Sequence, residues 1–339
     1  MKIANRMENL SPSVTLAITA LARELKAQGK DILSFSAGEP DFDTPQIVKD
    51  AAIKAINDGQ TKYTAVEGII ATKQAIINKL KKDHGLEYKL DGIVISNGAK
   101  HSLFNLFQVL IEKGDEVIIP APYWVTYPEQ VKFSDGIPVF IDTDDSTEFK
   151  ITPEQLKAVI TPKTKVLLLN TPSNPTGSVY TKEELTALGK VLEGTDILVF
   201  SDEMYEKIIY NGTKFTAAAE VSEDMYNRTV TINGLSKAVA MTGWRFGYIA
   251  TPNVALAKAL TKLQGQVTSN VNTMTQYAAI PALEGEADKD IEMMRVEFEK
   301  RKNYAVKAIN EIGTLSTYDP DGAFYLFINI KKFSNDSMK

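Results

Sequence analysis

The sequence predicts an α/β protein with a mostly parallel central sheet, helices on both faces of the sheet, and a second, smaller domain. Short continuous apolar runs recur through the middle of the chain, as they do in parallel strands that are buried on both faces. Segments with the helical spacing of apolar residues separate these runs. Small and polar residues follow several runs directly, and α/β sheets bind ligands at that end of their strands.

Composition narrows the class of protein before any motif is considered. The chain has 339 residues, enough for a large core and, we expect, two lobes. Hydrophobic residues make up 44% and charged residues 24%, which is typical of a globular enzyme. The net charge of -5 argues against a nucleic-acid partner, which would need a basic face.

Several kinds of site and location are not expected. Cysteine is absent and the only histidines are His84 and His101, which argues against disulfides, thiolate chemistry, a histidine-rich metal site and a Ser-His-Asp triad. No apolar run is long enough to span a membrane. The N-terminal residues lack the apolar region of a signal peptide, so a cytoplasmic location is expected by default.

The N-terminal part is predicted to hold three helices and one strand: helices over 14–28, 46–58 and 69–82, and a strand over 32–35. Apolar residues recur at helical spacing in the first helix, and Gly29 ends it. Pro45 and Gly59 bracket the second helix. The loop 36–45 contains Gly38, which would let the backbone approach a ligand closely.

The central part alternates strands with helices, and the C-terminal part is mainly helical. Short apolar runs bounded by turn-forming residues predict strands over 93–96, 117–120, 166–169, 197–200, 230–233 and 247–250. Helical spacing predicts helices over 101–112, 182–192, 254–265, 273–284 and 288–311. A turn, a strand over 324–328 and a polar tail follow.

A lysine and an arginine mark the segment after the strand at 230–233. Lys237 has small and apolar neighbours, which disfavour its ammonium form, lower its pKa and make it a usable nucleophile. Such a lysine forms Schiff bases with carbonyls, including the aldehyde of pyridoxal phosphate. Arg245, eight positions later, suits a phosphate because its donors match phosphate oxygens in pairs. The alternative is a lysine that caps a strand and an arginine in an ordinary ion pair.

Other candidate residues follow the predicted strands. Gly98, Ala99 and Lys100 join a strand to a helix, a geometry that binds phosphate but matches neither a P-loop nor GxGxxG. Trp124 lies in an aromatic loop, where it could stack on a heteroaromatic ring or fill the core. Asp202 ends an apolar strand. A carboxylate there needs a cationic partner, and a protonated pyridine nitrogen is one candidate.

Together with the amide of Asn174 and the phenol of Tyr205, these groups would satisfy one ligand. The segments that carry them read Ala-Gly-Glu-Pro-Asp-Phe (37–42), Lys-Tyr (62–63), Ser-Asn-Gly-Ala-Lys (96–100), Pro-Tyr-Trp (122–124), Asn-Pro-Thr-Gly (174–177), Ser-Asp-Glu-Met-Tyr (201–205), Ser-Lys (236–237) and Gly-Trp-Arg (243–245). On these motifs the chain resembles, over residues 1–330, the fold-type I, class I aminotransferases of the aspartate aminotransferase kind. It is most similar to the branch with bacterial aspartate and prephenate aminotransferases.

The resemblance implies a role for each cofactor residue. Lys237 would hold pyridoxal 5′-phosphate as a Schiff base and later move a proton between the substrate and the cofactor. Asp202 would keep the pyridine nitrogen protonated so that the ring acts as an electron sink. Asn174 and Tyr205 would bond the ring oxygen, and Trp124 would stack on the ring. The phosphate would be surrounded by Gly98, Ala99, Lys100, Ser236 and Arg245.

The resemblance also implies substrate contacts and a partner. Tyr63 would reach the phosphate of a neighbouring subunit, which implies a homodimer with shared active sites. Gly38 would contact the substrate carboxylate, and Trp124 and Asn174 would also line the substrate site. The positions suited to a distal carboxylate, which favour aspartate and glutamate over aromatic substrates, are Ser13, Thr15 and Lys100.

The implied reaction moves an amino group between aspartate, or a related amino acid, and 2-oxoglutarate by a ping-pong mechanism. The implied architecture has a large cofactor-binding domain over 46–284 and a small domain from 1–45 and 285–339. The same cofactor residues would also serve a lyase, a decarboxylase or a prephenate aminotransferase. A cofactor-sensing regulator would need a DNA-binding segment, and a Rossmann oxidoreductase would need GxGxxG; the sequence shows neither.

Two departures from the family pattern affect these expectations. The family continues past the strand at 324–328 and supplies an arginine for the substrate α-carboxylate. The chain has six arginines, and none lies in the motif that carries this α-carboxylate arginine in the family: Arg6, Arg23, Arg228, Arg245, Arg295 and Arg301. Losing one partner of a buried charge pair costs roughly 2–5 kcal/mol, so we expect a shortened chain that binds cofactor better than it turns over substrate. Gly234 stands where some relatives have a phosphate-binding serine.

Overall fold

The computed structural model describes residues 1–8, 10–12, 14–35 and 38–334. In these residues seven strands form one sheet. The strands are β1 (Ile93–Asn97), β2 (Glu116–Ala121), β3 (Ile137–Asp142), β4 (Thr164–Asn170), β5 (Leu198–Asp202), β6 (Thr229–Gly234) and β7 (Phe246–Ala250). Their order across the sheet is β1-β7-β6-β5-β4-β2-β3.

The helices lie before, between and after these strands. They are α1 (Val14–Ala27), α2 (Gln46–Asn57), α3 (Ile70–His84), α4 (Ala99–Leu110), α5 (Thr126–Phe133), α6 (Pro153–Val159), α7 (Lys182–Leu192), α8 (Glu223–Arg228), α9 (Val254–Val267), α10 (Thr273–Glu284) and α11 (Asp288–Glu311). Of the helices in the described ranges, none has the length and apolar character needed to cross a membrane.

Strand direction decides which residues share an edge of the sheet. The pairs β2–β3, β2–β4, β4–β5 and β5–β6 are parallel, whereas β7 is antiparallel to both β6 and β1. The carboxyl ends of the other six strands therefore meet at one edge, and β7 begins at that same edge. The predicted mostly parallel α/β sheet is confirmed.

Both faces of the sheet are covered by apolar side chains. Val94 of β1 belongs to a core with Leu103 of α4 and Leu260 of α9. Its neighbour Ile95 belongs to a second core on the opposite face, with Ile76 of α3, because successive side chains of a strand point to opposite faces. The sheet is thus fixed from both sides, and the loops at its edge are carried on a packed framework.

Most predicted elements form, but three predictions were wrong. The segments 32–35 and 324–328 are not strands. In the first, Phe35 is 94% exposed; an apolar run becomes a strand only where a neighbouring strand can pair with it. The second makes isolated bridges beside it, Ser316–Asn329 and Ile209–Gly322. The aromatic loop predicted around Trp124 becomes helical at Thr126. The division into two domains stays a prediction.

Candidate active site

A buried carboxylate lies at the carboxyl end of β5. Asp202 is 4% exposed. Its Oδ2 accepts a hydrogen bond from Tyr127 Oη at 2.8 Å and its Oδ1 accepts one from the Met204 N–H at 3.3 Å. Burial raises the pKa of Asp202 to about 6, against the opposing effects of these bonds and of the Lys237 charge. Among the described residues no ion pair within 4.0 Å reaches this carboxylate, so its negative charge lacks a close cationic partner.

The lysine predicted as the nucleophile faces this edge from the connection between β6 and β7. Lys237 Nζ donates a hydrogen bond to the Gly38 carbonyl and lies 6.0 Å and 5.9 Å from the ring centres of Tyr205 and Phe324. Burial lowers the pKa of Lys237 to about 8, although Glu39 opposes the shift. A neutral amine is therefore accessible near neutral pH, as the apolar neighbours in the sequence predicted.

Three predicted residues meet at one hydroxyl group. Tyr325 Oη is hydrogen-bonded to Tyr205 Oη at 2.6 Å and accepts a bond from Asn174 Nδ2 at 3.4 Å. A Cβ atom on Gly38 would lie 2.6 Å from the same oxygen. The loops after β4 and β5 and the loop containing Gly38 are thus joined at Tyr325.

An anion cradle lies at the junction of β1 and α4. Gly98 has φ +83° and precedes the first residue of the helix, Ala99, whose first N–H groups have no partner within the helix. Arg245, with φ +58°, precedes β7 and donates from Nη1 to the Thr242 carbonyl at 2.8 Å. A Cβ atom on Gly98 would lie 2.5 Å from Arg245 Nη2. The helix start and the guanidinium are therefore adjacent, as a phosphate site requires.

Trp124 connects the cradle to the buried carboxylate. Its ring packs edge-on against Tyr127, with ring centres 5.3 Å apart, and Tyr127 bonds Asp202. Lys100 Nζ lies 4.8 Å from the centre of the Trp124 ring. Burial, followed by the neighbouring charge of Arg245, lowers the pKa of Lys100.

Other predicted site residues differ in their placement. Ser236 is buried beside Lys237. Tyr63 is 90% exposed, and Thr15 is exposed on α1. Ser13 lies outside the described residues.

Sequence reasoning missed two tyrosines of this site. The sequence gives no role to Tyr127, three positions after Trp124, or to Tyr325, which lies in the predicted strand 324–328. The hydrogen-bond partners of both lie far away in the chain: the Asp202 carboxylate is 75 positions from Tyr127, and the Tyr205 hydroxyl is 120 positions from Tyr325. A tyrosine carries no sequence signature of such a partner, so only the fold reveals the contact.

A buried ion cluster supports the turn that follows Asp202. Glu206, in that turn, pairs with Lys79 and with His84 of α3, the latter at 2.8 Å from Nε2 to Oε2. His84 Nδ1 lies 3.4 Å from Glu220 Oε2. These acids raise the pKa of His84 to about 9 against the opposing effect of its burial, and Lys79 and His84 hold the pKa of Glu206 well below its usual range despite burial.

The residues present fit pyridoxal phosphate. The cofactor needs a neutral amine for its aldehyde, a carboxylate for its ring nitrogen and donors for its phosphate. Lys237 has a lowered pKa, and Asp202 is buried without an ion pair among the described residues. The start of α4 at Gly98 lies beside the Arg245 guanidinium, and both kinds of donor suit an anion. Each chemical requirement is met by a different group at the same edge of the sheet.

Comparisons with known proteins agree with this arrangement. A family model described as aminotransferase class I and II matches residues 30–338. An aspartate aminotransferase of Geobacillus stearothermophilus is 51% identical over 98% of this chain and 84% of the relative. An aspartate/prephenate aminotransferase of Nitrosomonas europaea is 48% identical, over 98% and 83%. The structure of Thermus thermophilus aspartate aminotransferase with maleate superposes with a TM-score of 0.96 at 38% identity, covering 100% of this chain and 87% of that one.

Proposed function

Because this chain belongs to the class I and II aminotransferases and is therefore a transaminase, we propose that it uses pyridoxal 5′-phosphate to transfer the amino group of aspartate to 2-oxoglutarate. Two residues at the same edge of the sheet carry the cofactor assignment. Lys237 has a lowered pKa, and Asp202 has a buried carboxylate. The names of relatives about half identical to this chain support aspartate as the amino donor.

The residues of this chain would divide the work as follows. When bound, the cofactor supplies an aldehyde and a ring that withdraws electrons from the substrate α-carbon. Lys237 Nζ, in its neutral form, would bind the aldehyde and would move the proton of the substrate α-carbon. Asp202 would hold a proton on the ring nitrogen. Tyr205 and Asn174 would donate to the ring oxygen, and Trp124 would stack on the ring.

The phosphate would be held by the cradle described above. The first N–H groups of α4, including those of Ala99 and Lys100, point out of the helix toward an anion. Arg245 adds two charged donors and Ser236 a hydroxyl. Gly98 is required because a side chain there would occupy the position of the guanidinium.

The substrate would be recognised by its two carboxylates. The carbonyl of Gly38 is bonded by Lys237, which supports a place for this loop beside the reacting amine. Lys100 lies over Trp124 with its ammonium group, which suits the distal carboxylate together with Ser13 and Thr15. The related Thermus thermophilus enzyme has a structure with maleate. Maleate is a dicarboxylate with a four-carbon chain, as aspartate is.

The proposed assembly is a homodimer in which Tyr63 completes the phosphate site of the partner subunit. Tyr63 is 90% exposed in the single chain, and Ile70 and Val267, also exposed, belong to the neighbouring elements α3 and α9. Its loop is fixed to α10 because Thr273 Oγ1 donates to the Lys62 carbonyl at 2.8 Å. Exposed aromatic and aliphatic groups on a fixed loop are suited to burial against a second copy of the chain.

The test compares wild-type protein with Lys237→Ala after addition of pyridoxal phosphate. We expect wild type to develop a visible absorption band and to form glutamate from aspartate and 2-oxoglutarate. Lys237→Ala should lose the band and about a thousandfold or more of the rate. Lys165→Ala, at the opposite edge of the sheet in β4, is the matched control. A Lys237→Ala variant that kept the band would contradict the assignment.

The Nitrosomonas europaea relative supports prephenate as a second amino acceptor, since its name includes prephenate. Replacing 2-oxoglutarate by prephenate in the same assay tests this. The names of the relatives favour transamination over the lyase alternative. Release of pyruvate or carbon dioxide in place of amino transfer would contradict the proposal.

A further inference from the structure

Tyr325 lies on a short segment that is held firmly between two loops of the site. The Gly322 N–H donates to the Gly177 carbonyl and the Ala323 N–H to the Ile208 carbonyl, each at 2.9 Å. A Cβ atom on Gly177 would lie 2.6 Å from the Gly322 carbonyl oxygen. The backbone that precedes Tyr325 is therefore held on both sides, and this fixes the point from which the Tyr325 side chain extends.

The ring of Tyr325 extends from this segment into the group of cofactor residues. It packs against Phe324 with ring centres 5.0 Å apart and against Tyr205 at 5.6 Å. Tyr325 Oη then contacts Tyr205 Oη at 2.6 Å and Asn174 Nδ2 at 3.4 Å. Both partners are residues to which the proposed function gives a bond with the ring oxygen of the cofactor.

Both phenols of this pair are protonated at neutral pH. Burial raises the pKa of Tyr325 to about 12, and burial and then the neighbouring Tyr325 raise that of Tyr205 well above its usual range. The contact is therefore a hydrogen bond between neutral hydroxyl groups. It orients the Tyr205 side chain without adding charge to the site. Such a bond limits the rotation of Tyr205, and either hydroxyl can be its donor.

The same hydroxyl explains the residue type at position 38. A Cβ atom on Gly38 would lie 2.6 Å from Tyr325 Oη but 3.5 Å from the Cζ atom of the ring. The first separation is a clash and the second is an ordinary contact. The hydroxyl oxygen alone, rather than the ring, excludes a side chain from Gly38.

We propose that Tyr325 is a positioning residue of the transamination site: its hydroxyl orients Tyr205 and Asn174 and sets how closely the Gly38 loop approaches Lys237. The inference rests on the proposed function. It assigns Tyr325 no direct contact with the reacting atoms, so its removal should alter the alignment of the site while cofactor binding persists.

The first experiment compares Tyr325→Phe with Tyr318→Phe in the cofactor-loaded protein. Tyr318 is the matched control because it lies on the same stretch of chain but bonds Ser178 Oγ, at 3.1 Å, instead of a cofactor residue. Tyr325→Phe should retain bound pyridoxal phosphate, move the pKa of the visible band by about half a unit, and lower kcat about three- to tenfold, the effect of one hydrogen bond. Tyr318→Phe should change neither the spectrum nor kcat.

The second experiment uses the contact with Gly38. Gly38→Ala alone should reduce kcat/KM for aspartate about tenfold or more, because the new methyl group meets the hydroxyl. In the double variant Gly38→Ala with Tyr325→Phe, the oxygen is gone and the loss should be smaller than in Gly38→Ala alone. Such coupling is not expected of two independent structural defects.

Two outcomes separate this inference from the proposed function. If wild-type protein neither binds pyridoxal phosphate nor transfers an amino group, the proposed function fails. If wild type does both, while Tyr325→Phe matches Tyr318→Phe in spectrum and kcat and the Gly38→Ala loss is unchanged in the double variant, only the role of Tyr325 is overturned.

Discussion

Two ionisable groups of the site, Lys237 and Asp202, have pKa values that burial shifts in opposite directions. Burial disfavours the charged form of each: it lowers the pKa of Lys237 to about 8 and raises that of Asp202 to about 6. The two side chains also favour each other's charge, as their mutual effects on both pKa values show. These shifts suit the roles proposed for the two groups: a neutral amine of Lys237 near neutral pH, and a carboxylate of Asp202 for a cationic ring nitrogen.

The rate at which pyridoxal phosphate attaches to the cofactor-free protein should rise with pH and level off above a midpoint near about 8, because the neutral amine of Lys237 is the attacking species. Rapid-mixing absorbance measurements across this pH range test the expectation. Asp202→Asn should move the midpoint downward, since it removes a charge that favours the ammonium form. A rate that does not change with pH would contradict it.

At single positions, the sequence predicts candidate site residues best where they come directly after a strand. Lys237, Asp202 and Gly98 were predicted because small or polar residues after an apolar run are a local pattern. Tyr127 and Tyr325 were not predicted, since their roles depend on hydrogen bonds to a carboxylate and a hydroxyl that lie far away in the chain. Local patterns identify residues that meet a ligand, whereas the residues that orient them become visible only in the fold.

Among the elements, the antiparallel strand β7 explains how Arg245 reaches the site although it does not follow the end of a strand. Arg245 precedes β7 instead of following a strand. Because β7 is antiparallel to both neighbours, its first residues lie at the edge where the parallel strands end. A Cβ atom on Gly247 would contact the backbone N of Ala99, so β7 and the start of α4 meet without intervening side chains.

Element boundaries were predicted best where helices have clear ends. The helices 182–192, 273–284 and 288–311 match α7, α10 and α11. Thr181 caps α7 and Gly285 ends α10 in the left-handed conformation, both of which have a sequence signature. The strand predicted at 32–35 failed because strand formation requires a partner, and the identity of a pairing partner is not local information.

The buried pairing of Glu206 with α3 should contribute strongly to stability. In Glu206→Gln, Lys79 and His84 lose their buried counter-charge, and the free energy of unfolding should fall by about 3 kcal/mol or more. Glu292→Gln is the control: Glu292 is an exposed acid paired with Arg295 on α11, so it should change stability by about 1 kcal/mol or less. Urea unfolding monitored by circular dichroism measures both.

The pH dependence of unfolding gives a second readout of the same cluster. The pKa of His84 is raised from 6.5 to about 9 in the folded protein, so its stabilising contribution is complete below its unfolded value and is lost as pH rises through about 9. The free energy of unfolding of wild type should decline across this interval, and the decline should be smaller in Glu206→Gln. Equal slopes in the two proteins would show that Glu206 does not raise the pKa of His84.

For the whole molecule, the family matches confirm the fold-type I aminotransferase expectation that the motifs raised. The sheet supplies one edge where seven strands bring their loops together. The exposed position of Tyr63 could not have been derived from the order of strands and helices. That exposure supports the proposal that Tyr63 meets a second copy of the chain.

If the proposed homodimer shares its active sites, two defective chains should complement each other. Lys237→Ala would lack the proposed nucleophile, and Tyr63→Ala, for which a large loss of activity is expected, would lack the group donated to the partner. If dimers reassort at random, half are mixed and each mixed dimer has one intact site, so about a quarter of the wild-type activity should return. Unmixed samples of each variant, treated identically, are the control. A mixture no more active than its components would contradict the shared site.

The contact of Gly38 with Tyr325 has a consequence for biosynthesis. Lys237 reaches a carbonyl 199 positions earlier in the chain, and Tyr205 reaches a hydroxyl 120 positions later. During synthesis, Tyr325 must therefore leave the ribosome before the loop at Gly38 can pack against it. The strands β5 and β6 leave the ribosome well before that. Contacts between such distant segments form late in folding. Capture of the cofactor in its final geometry thus belongs to the completed chain, not to the nascent one.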